Sequence, residues 1–113
     1  MPKINENIAE AGFGLNQQTV ESIKRVFRGY LQIERAIIYG SRAKGTHRKG
    51  SDIDITLLGN ELDLTLLNKI DTELDDLLLP YKIDLSVYGK IDNQELKGHI
   101  HRVGKVFYER EKA

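Results

Sequence analysis

Three aspartates, with a glycine–serine pair placed ahead of them, are the residues of this sequence best suited to chemistry. Gly40-Ser41 is followed by ten residues and then by Asp52-Ile53-Asp54, and a second pair, Gly50-Ser51, stands directly before the acids. In a strand, side chains alternate between faces, so Asp52, Asp54 and Thr56 share one side while Ile53, Ile55 and Leu57 share the other. The two carboxylates then stand roughly 6.5–7 Å apart, close enough to converge on one or two divalent cations. The segment Lys82-Ile83-Asp84-Leu85-Ser86-Val87 repeats the alternation. If it lies beside the first strand with its apolar side toward the same core, Asp84 joins the open acidic face.

Three carboxylates in one site repel one another, and without compensation they protonate or destabilise the fold. Mg²⁺ or Mn²⁺ removes the conflict, because hard cations take oxygen ligands and the segment supplies little else. A site of this kind suits a ligand that brings its own negative charge.

The phosphate-facing part precedes the acids. Gly40 ends the apolar run Ala36-Ile37-Ile38-Tyr39, which reads as a buried strand, and Ser41-Arg42-Ala43-Lys44 opens a short helix closed by Gly45. A helix start presents free N–H groups, so Gly40 and Ser41 can receive a phosphate, with glycine permitting close approach. Ser51 is grouped with them as a nucleotide contact. Arg42 and Lys44, with Thr46-His47-Arg48-Lys49, form a local cationic cluster that suits a triphosphate, although each also reads as an ordinary solvated loop residue. A P-loop is excluded, since Thr46 and His47 stand where Lys and Ser/Thr are required. An EF-hand is excluded as well, since Asp63 rather than glutamate falls at the twelfth loop position.

The order glycine–serine, ten residues, Asp-x-Asp and a later strand aspartate resembles the nucleotidyltransferase signature of the DNA polymerase β superfamily. The shortness of the chain makes it most similar to the minimal nucleotidyltransferases found with HEPN-domain partners in toxin–antitoxin pairs. That resemblance covers roughly residues 33–108. It implies an α/β fold, a single palm domain whose mixed β-sheet has helices on one face and an open acidic face. It implies two Mg²⁺ or Mn²⁺ ions on Asp52, Asp54 and Asp84, with ATP as substrate, Gly40 and Ser41 holding the β and γ phosphates, and Asp84 accepting the proton of the attacking hydroxyl. The implied activity is transfer of a nucleoside monophosphate, AMP from ATP, to a hydroxyl of an acceptor. The implied acceptor is a tyrosine of a HEPN-domain toxin, which makes the chain an antitoxin. Two other readings stay open: an antitoxin that only occludes its partner, and a small-molecule, antibiotic-type nucleotidyltransferase.

The elements that must position these residues follow from periodicity. Residues 1–15 carry no sustained period and read as an N-terminal arm, with Ile8, Phe13 and Leu15 available to pack, while residues 16–113 form the domain. Asn16 caps a helix to about Leu31, Asp63 caps a second to about Leu78, and Asp92 or Asn93 caps a third to about Val103. Each reads as a core-packing helix, and the acids Asp71, Glu73, Asp75 and Asp76 as a solvated face. His47 reads as a loop residue, and His99 and His101, two apart on a helix, do not form a metal pair. Lys105 to Tyr108 can form a last short strand.

Composition sets the outer bounds. A length of 113 residues suits one domain with a modest core, and 17 basic residues cancel 17 acidic ones, which argues against stable nucleic-acid binding through overall charge. There is no cysteine, so disulfides and thiolate metal sites drop out. No apolar run approaches the ~20 residues of a membrane span and no secretory leader is evident, so a cytoplasmic protein without membrane contact is the expectation, compatible with a homo-oligomer.

Overall fold

The computed structural model describes residues 12–111. The predicted arm therefore lies largely outside the described residues, Ile8 included, but its last four residues are placed. Leu15 is buried in the core, and the Phe13 ring packs on Phe107 with centroids 6.2 Å apart.

Helix α1 spans Gln17–Arg28, and the Asn16 side chain accepts from the Thr19 N–H at 2.7 Å, satisfying one of the free donors of its first turn. Thr19, Ile23 and Phe27 recur every four residues and form its buried stripe. Strand β1, Arg35–Tyr39, leads through Gly40 into the single turn α2, Ser41–Lys44, and then to strand β2, Ile53–Leu58. Helix α3, Leu64–Asp75, is capped by Asp63 and carries the chain to strand β3, Ile83–Val87. A 3-10 turn at Tyr88–Lys90 precedes α4, Gln94–Val103, capped by Asn93, and strand β4, Lys105–Glu109, closes the described chain.

Among the described residues the strands form one sheet in the order β3-β2-β1-β4. β1 runs antiparallel to both β2 and β4, while β2 and β3 are parallel, which makes β2-α3-β3 a crossover unit. The register pairs Ile38 with Ile55 and Ala36 with Leu57, and β3 continues that face with Ile83, Leu85 and Val87. All of these pack in one core with Ile23 and Phe27 of α1 and Ile70 and Leu74 of α3. The two helices are further joined by a hydrogen bond from the Tyr30 hydroxyl, just after α1, to Glu73 of α3.

The opposite face carries Ile37, Tyr39, Asp54, Thr56, Asp84 and Ser86. It is not bare along its whole width. Helix α4 crosses it over β1: the His99 ring meets Tyr39 edge-on at 6.1 Å, and Ile100 is buried apart from the main core. At Gly104 an added Cβ would overlap the Ile100 carbonyl and press on Ile37, so a glycine lets the chain leave α4 this close to the sheet. The open part of the acidic face is the strip over β2 and β3.

Candidate active site

Register decides what meets on that strip. Tyr39 pairs with Asp54 across β1 and β2, and Asp54 pairs with Asp84 across the parallel strands, so one transverse row reads Tyr39, Asp54, Asp84. Paired residues on adjacent strands point the same way and lie about 5 Å apart, which sets the two carboxylates side by side. Asp52 stands one strand step further along the same side, just before the first hydrogen-bonded residue of β2, and is exposed, as is Asp84, while Asp54 is half-buried. One row deeper, the Ser86 hydroxyl donates to Thr56 Oγ1 at 2.9 Å, satisfying a fully buried threonine beneath the acids.

Electrostatics mark Asp54 as the strained member. Burial raises its carboxyl above the usual range, the Asp84 and Asp52 charges raise it further, and His99 pulls it part of the way back. The Tyr39 phenol is likewise pushed up, chiefly by burial and then by the Asp54 and Asp84 charges, against a hydrogen bond with Ser86. Among the described residues, no three carboxylate, imidazole or thiol groups form a ready-made metal site. The three acids stand as an adjacent pair, Asp54 and Asp84, with Asp52 one strand step along. The donor set fits a hard divalent cation: carboxylate oxygens from adjacent strands, with the charge on Asp54 disfavoured first by burial and then by its acidic neighbours.

The glycine turn abuts the acids directly. Gly40 has φ 77° and ψ −156°, a conformation open essentially to glycine, and a Cβ there would collide with Asp54 Oδ2. This is the structural reason for glycine at the position. Ser41 begins α2, which is only four residues long, so a helix dipole adds little and any anion affinity must come from the turn's own N–H groups and the serine hydroxyl.

The cationic cluster divides. Lys44, Arg48 and Lys49 are exposed beside the turn. Arg42, expected among the phosphate contacts, is instead 3% exposed, with Nε donating to the Ser51 carbonyl at 3.0 Å and Nη1 to the Phe13 carbonyl at 2.8 Å. Its guanidinium also lies over the Tyr81 ring at 4.8 Å, so Nε, Nη1 and one flat face of the group are engaged inside the protein. Ser51 holds its own loop, its Oγ accepting from the Arg48 N–H at 2.8 Å. Sequence reasoning missed two neighbours of the acids, His99 and Tyr39. The approach of His99 depends on how α4 crosses the sheet and that of Tyr39 on the register of β1 with β2, for which periodicity carries no signal.

A family profile described as "Polymerase beta, Nucleotidyltransferase" matches residues 21–113. The chain belongs to the polymerase beta nucleotidyltransferase family. No curated protein matches it in sequence. Solved structures share the fold of this nucleotidyltransferase at low identity. A toxin–antitoxin crystal structure with AMP-PNP is 22% identical at TM-score 0.65, covering 86% of this chain and 76% of that one. A tri-AMPylated Shewanella oneidensis HEPN toxin in complex with an MNT antitoxin is 20% identical at TM-score 0.63, covering 83% and 72%. The toxin–antitoxin complex MntA-HepT is also 20% identical at TM-score 0.63, covering 84% and 74%. Among the described residues of this nucleotidyltransferase, no helix is long and apolar enough to cross a membrane.

Proposed function

We propose that this nucleotidyltransferase moves AMP from ATP onto a tyrosine hydroxyl of a HEPN-domain toxin and thereby acts as its antitoxin. The observation that carries the reading is the row Asp54–Asp84 with Gly40 in contact with Asp54, which sets a carboxylate pair against a glycine turn. Asp52, Asp54 and Asp84 would hold two Mg²⁺ or Mn²⁺ ions, which when bound supply charge neutralisation to the triphosphate and the reacting oxygens. The N–H groups of the Gly40-Ser41 turn and the Ser41 hydroxyl receive the β and γ phosphates, with Lys44 at the rim. Ser51 contributes by shaping the loop ahead of Asp52. The acceptor oxygen bonds to the α-phosphorus, the bond between that phosphorus and the α,β-bridging oxygen breaks, and pyrophosphate leaves. The hydroxyl proton passes to the Asp84 carboxylate, exposed on the open strip and so reachable by an acceptor on another protein.

Support for the partner comes from the likeness to antitoxins solved with HEPN toxins, one of which is described as AMPylated. The test is intact mass of the HEPN-type protein co-expressed with this chain, after incubation with each of the four nucleoside triphosphates and Mg²⁺ or Mn²⁺. One AMP added per modified tyrosine is the expected result, and an unchanged mass with all four ends the reading. The occlusion alternative separates on one comparison: Asp52→Asn or Asp84→Asn should abolish neutralisation of the toxin while leaving the complex intact, whereas retained neutralisation means that binding alone suffices.

A further inference from the structure

Arg42 touches three separate parts of the chain, and two of them, Ser51 and Tyr81, lead into the strand acids. It lies within α2, directly after Ser41 of the phosphate-facing turn. Its Nε bonds the carbonyl of Ser51, the residue before Asp52, and its guanidinium covers Tyr81, three residues before Asp84. Its Nη1 reaches back to the carbonyl of Phe13, fastening residues 12–15 to α2. Independent contacts lie around this centre. The His47 ring fills the space where a side chain at Gly14 would stand, and the Ile53 N–H donates to the Lys82 carbonyl at 2.9 Å, coupling the start of β2 to the start of β3. A buried guanidinium is costly unless its donors find partners, and here Nε and Nη1 both donate to backbone carbonyls rather than to a carboxylate. Its planar fork cannot be copied by lysine, whose ammonium is a point donor without a flat face for Tyr81.

We infer that Arg42 is a positioning residue for nucleotidyl transfer: one guanidinium locks the glycine turn, the approach to Asp52 and the approach to Asp84 in a common spacing. Its effect passes through the carbonyls of Ser51 and Phe13 and through the Tyr81 ring, without touching the nucleotide. The inference rests on the proposed activity for its consequence in rate, but the lock itself is a property of the free chain.

The test has two arms on the full chain. In hydrogen exchange, the amides of Leu15, Thr46, Ser51 and Ile53 all have backbone partners and report the four sides of the lock. Arg42→Gln should speed their exchange together by about tenfold or more while Leu57, in the middle of β2, changes little. Leu74→Ala, on the opposite face of the sheet, should instead lower protection evenly across the strands. In transfer of labelled AMP to the co-expressed partner, Arg42→Gln should lower kcat roughly hundredfold with KM for ATP within about threefold, since displaced reacting groups cost rate rather than ground-state binding. Arg42→Lys, which keeps the charge, should not rescue it, and Tyr81→Phe, which keeps the ring, should stay near wild type. Leu74→Ala, assayed where it is folded, should also keep its kcat. A rise in KM that lysine repairs would make Arg42 a phosphate contact and overturn the inference, as would faster exchange confined to Thr46. If the wild type transfers nothing, the proposed activity fails, and the exchange pattern alone still decides whether the lock exists.

Discussion

Replacing Gly40 by alanine separates two costs that this fold combines at one position. The backbone there has φ 77° and ψ −156°, which costs a residue with a Cβ on the order of 1–3 kcal/mol. A Cβ at Gly40 would also overlap Asp54 Oδ2, so the carboxylate must shift or the turn must open. Gly45 supplies the control, because it has φ 81° and ψ 12° but nothing within 4 Å of an added Cβ. Gly45→Ala therefore pays left-handed strain of about 1–2 kcal/mol and displaces no other group. At about 4–8 °C per kcal/mol for a domain near this size, the control should lose roughly 5–15 °C in Tm and keep its transfer rate. Gly40→Ala should lose at least as much in Tm. In addition, its kcat should fall on the order of a hundredfold, the usual consequence of moving a reacting group by about 1 Å. Thermal denaturation followed by circular dichroism, with AMP transfer measured below the lower Tm, reads both quantities. Equal activity in the two variants would refute the claim that Gly40 is held by Asp54 and that Asp54 must stay where it is.

The raised carboxyl of Asp54 has a signed consequence for the metal-free protein. A carboxylate whose folded pKa lies above the ordinary value of 3.8 binds its proton more tightly in the folded state, so stability is lost as pH rises through that interval and stays lost at neutral pH. Asp54→Asn should therefore raise the metal-free Tm at pH 7, and Mg²⁺ should stabilise the wild type but not this variant; a lower Tm for Asp54→Asn would contradict the electrostatic account. Tyr30→Phe removes the hydroxyl that joins the end of α1 to Glu73 of α3 and should cost about 0.5–1.5 kcal/mol in urea denaturation, with activity unchanged. Thr56→Val leaves the Ser86 hydroxyl without its acceptor and should cost about 1–3 kcal/mol, whereas Thr56→Val with Ser86→Ala should recover most of that loss. A purely additive double variant would show that the hydroxyl pair is not coupled.

The acids were readable from sequence because their arrangement is local. Alternation within one strand puts Asp52 and Asp54 on the side away from Ile53 and Ile55 whatever else the chain does, and the same holds for Asp84 against Ile83 and Leu85. The caps at Asn16 and Asp63 were readable for the same reason, and the third was narrowed to Asp92 or Asn93, of which Asn93 makes the bond; each cap bonds a backbone N–H three residues ahead. The turn at Gly40 was readable as a turn, but its contact with Asp54 was not, because that contact crosses from β1 to β2.

Tertiary structure alone decided three matters. The parallel register that sets Asp84 level with Asp54, rather than one pair higher or lower, depends on how α3 carries the chain between the two strands. The passage of α4 over β1, which brings His99 to Tyr39 and narrows the open strip, depends on a close approach that glycine at 104 permits but does not dictate. The fate of Arg42 is the clearest case. Among six polar or basic loop residues its composition and spacing match a phosphate contact, yet two carbonyls and one ring, from positions 13, 51 and 81, enclose it. Periodicity reports which side of an element a residue occupies, whereas burial of a single charge depends on which distant segments close around it.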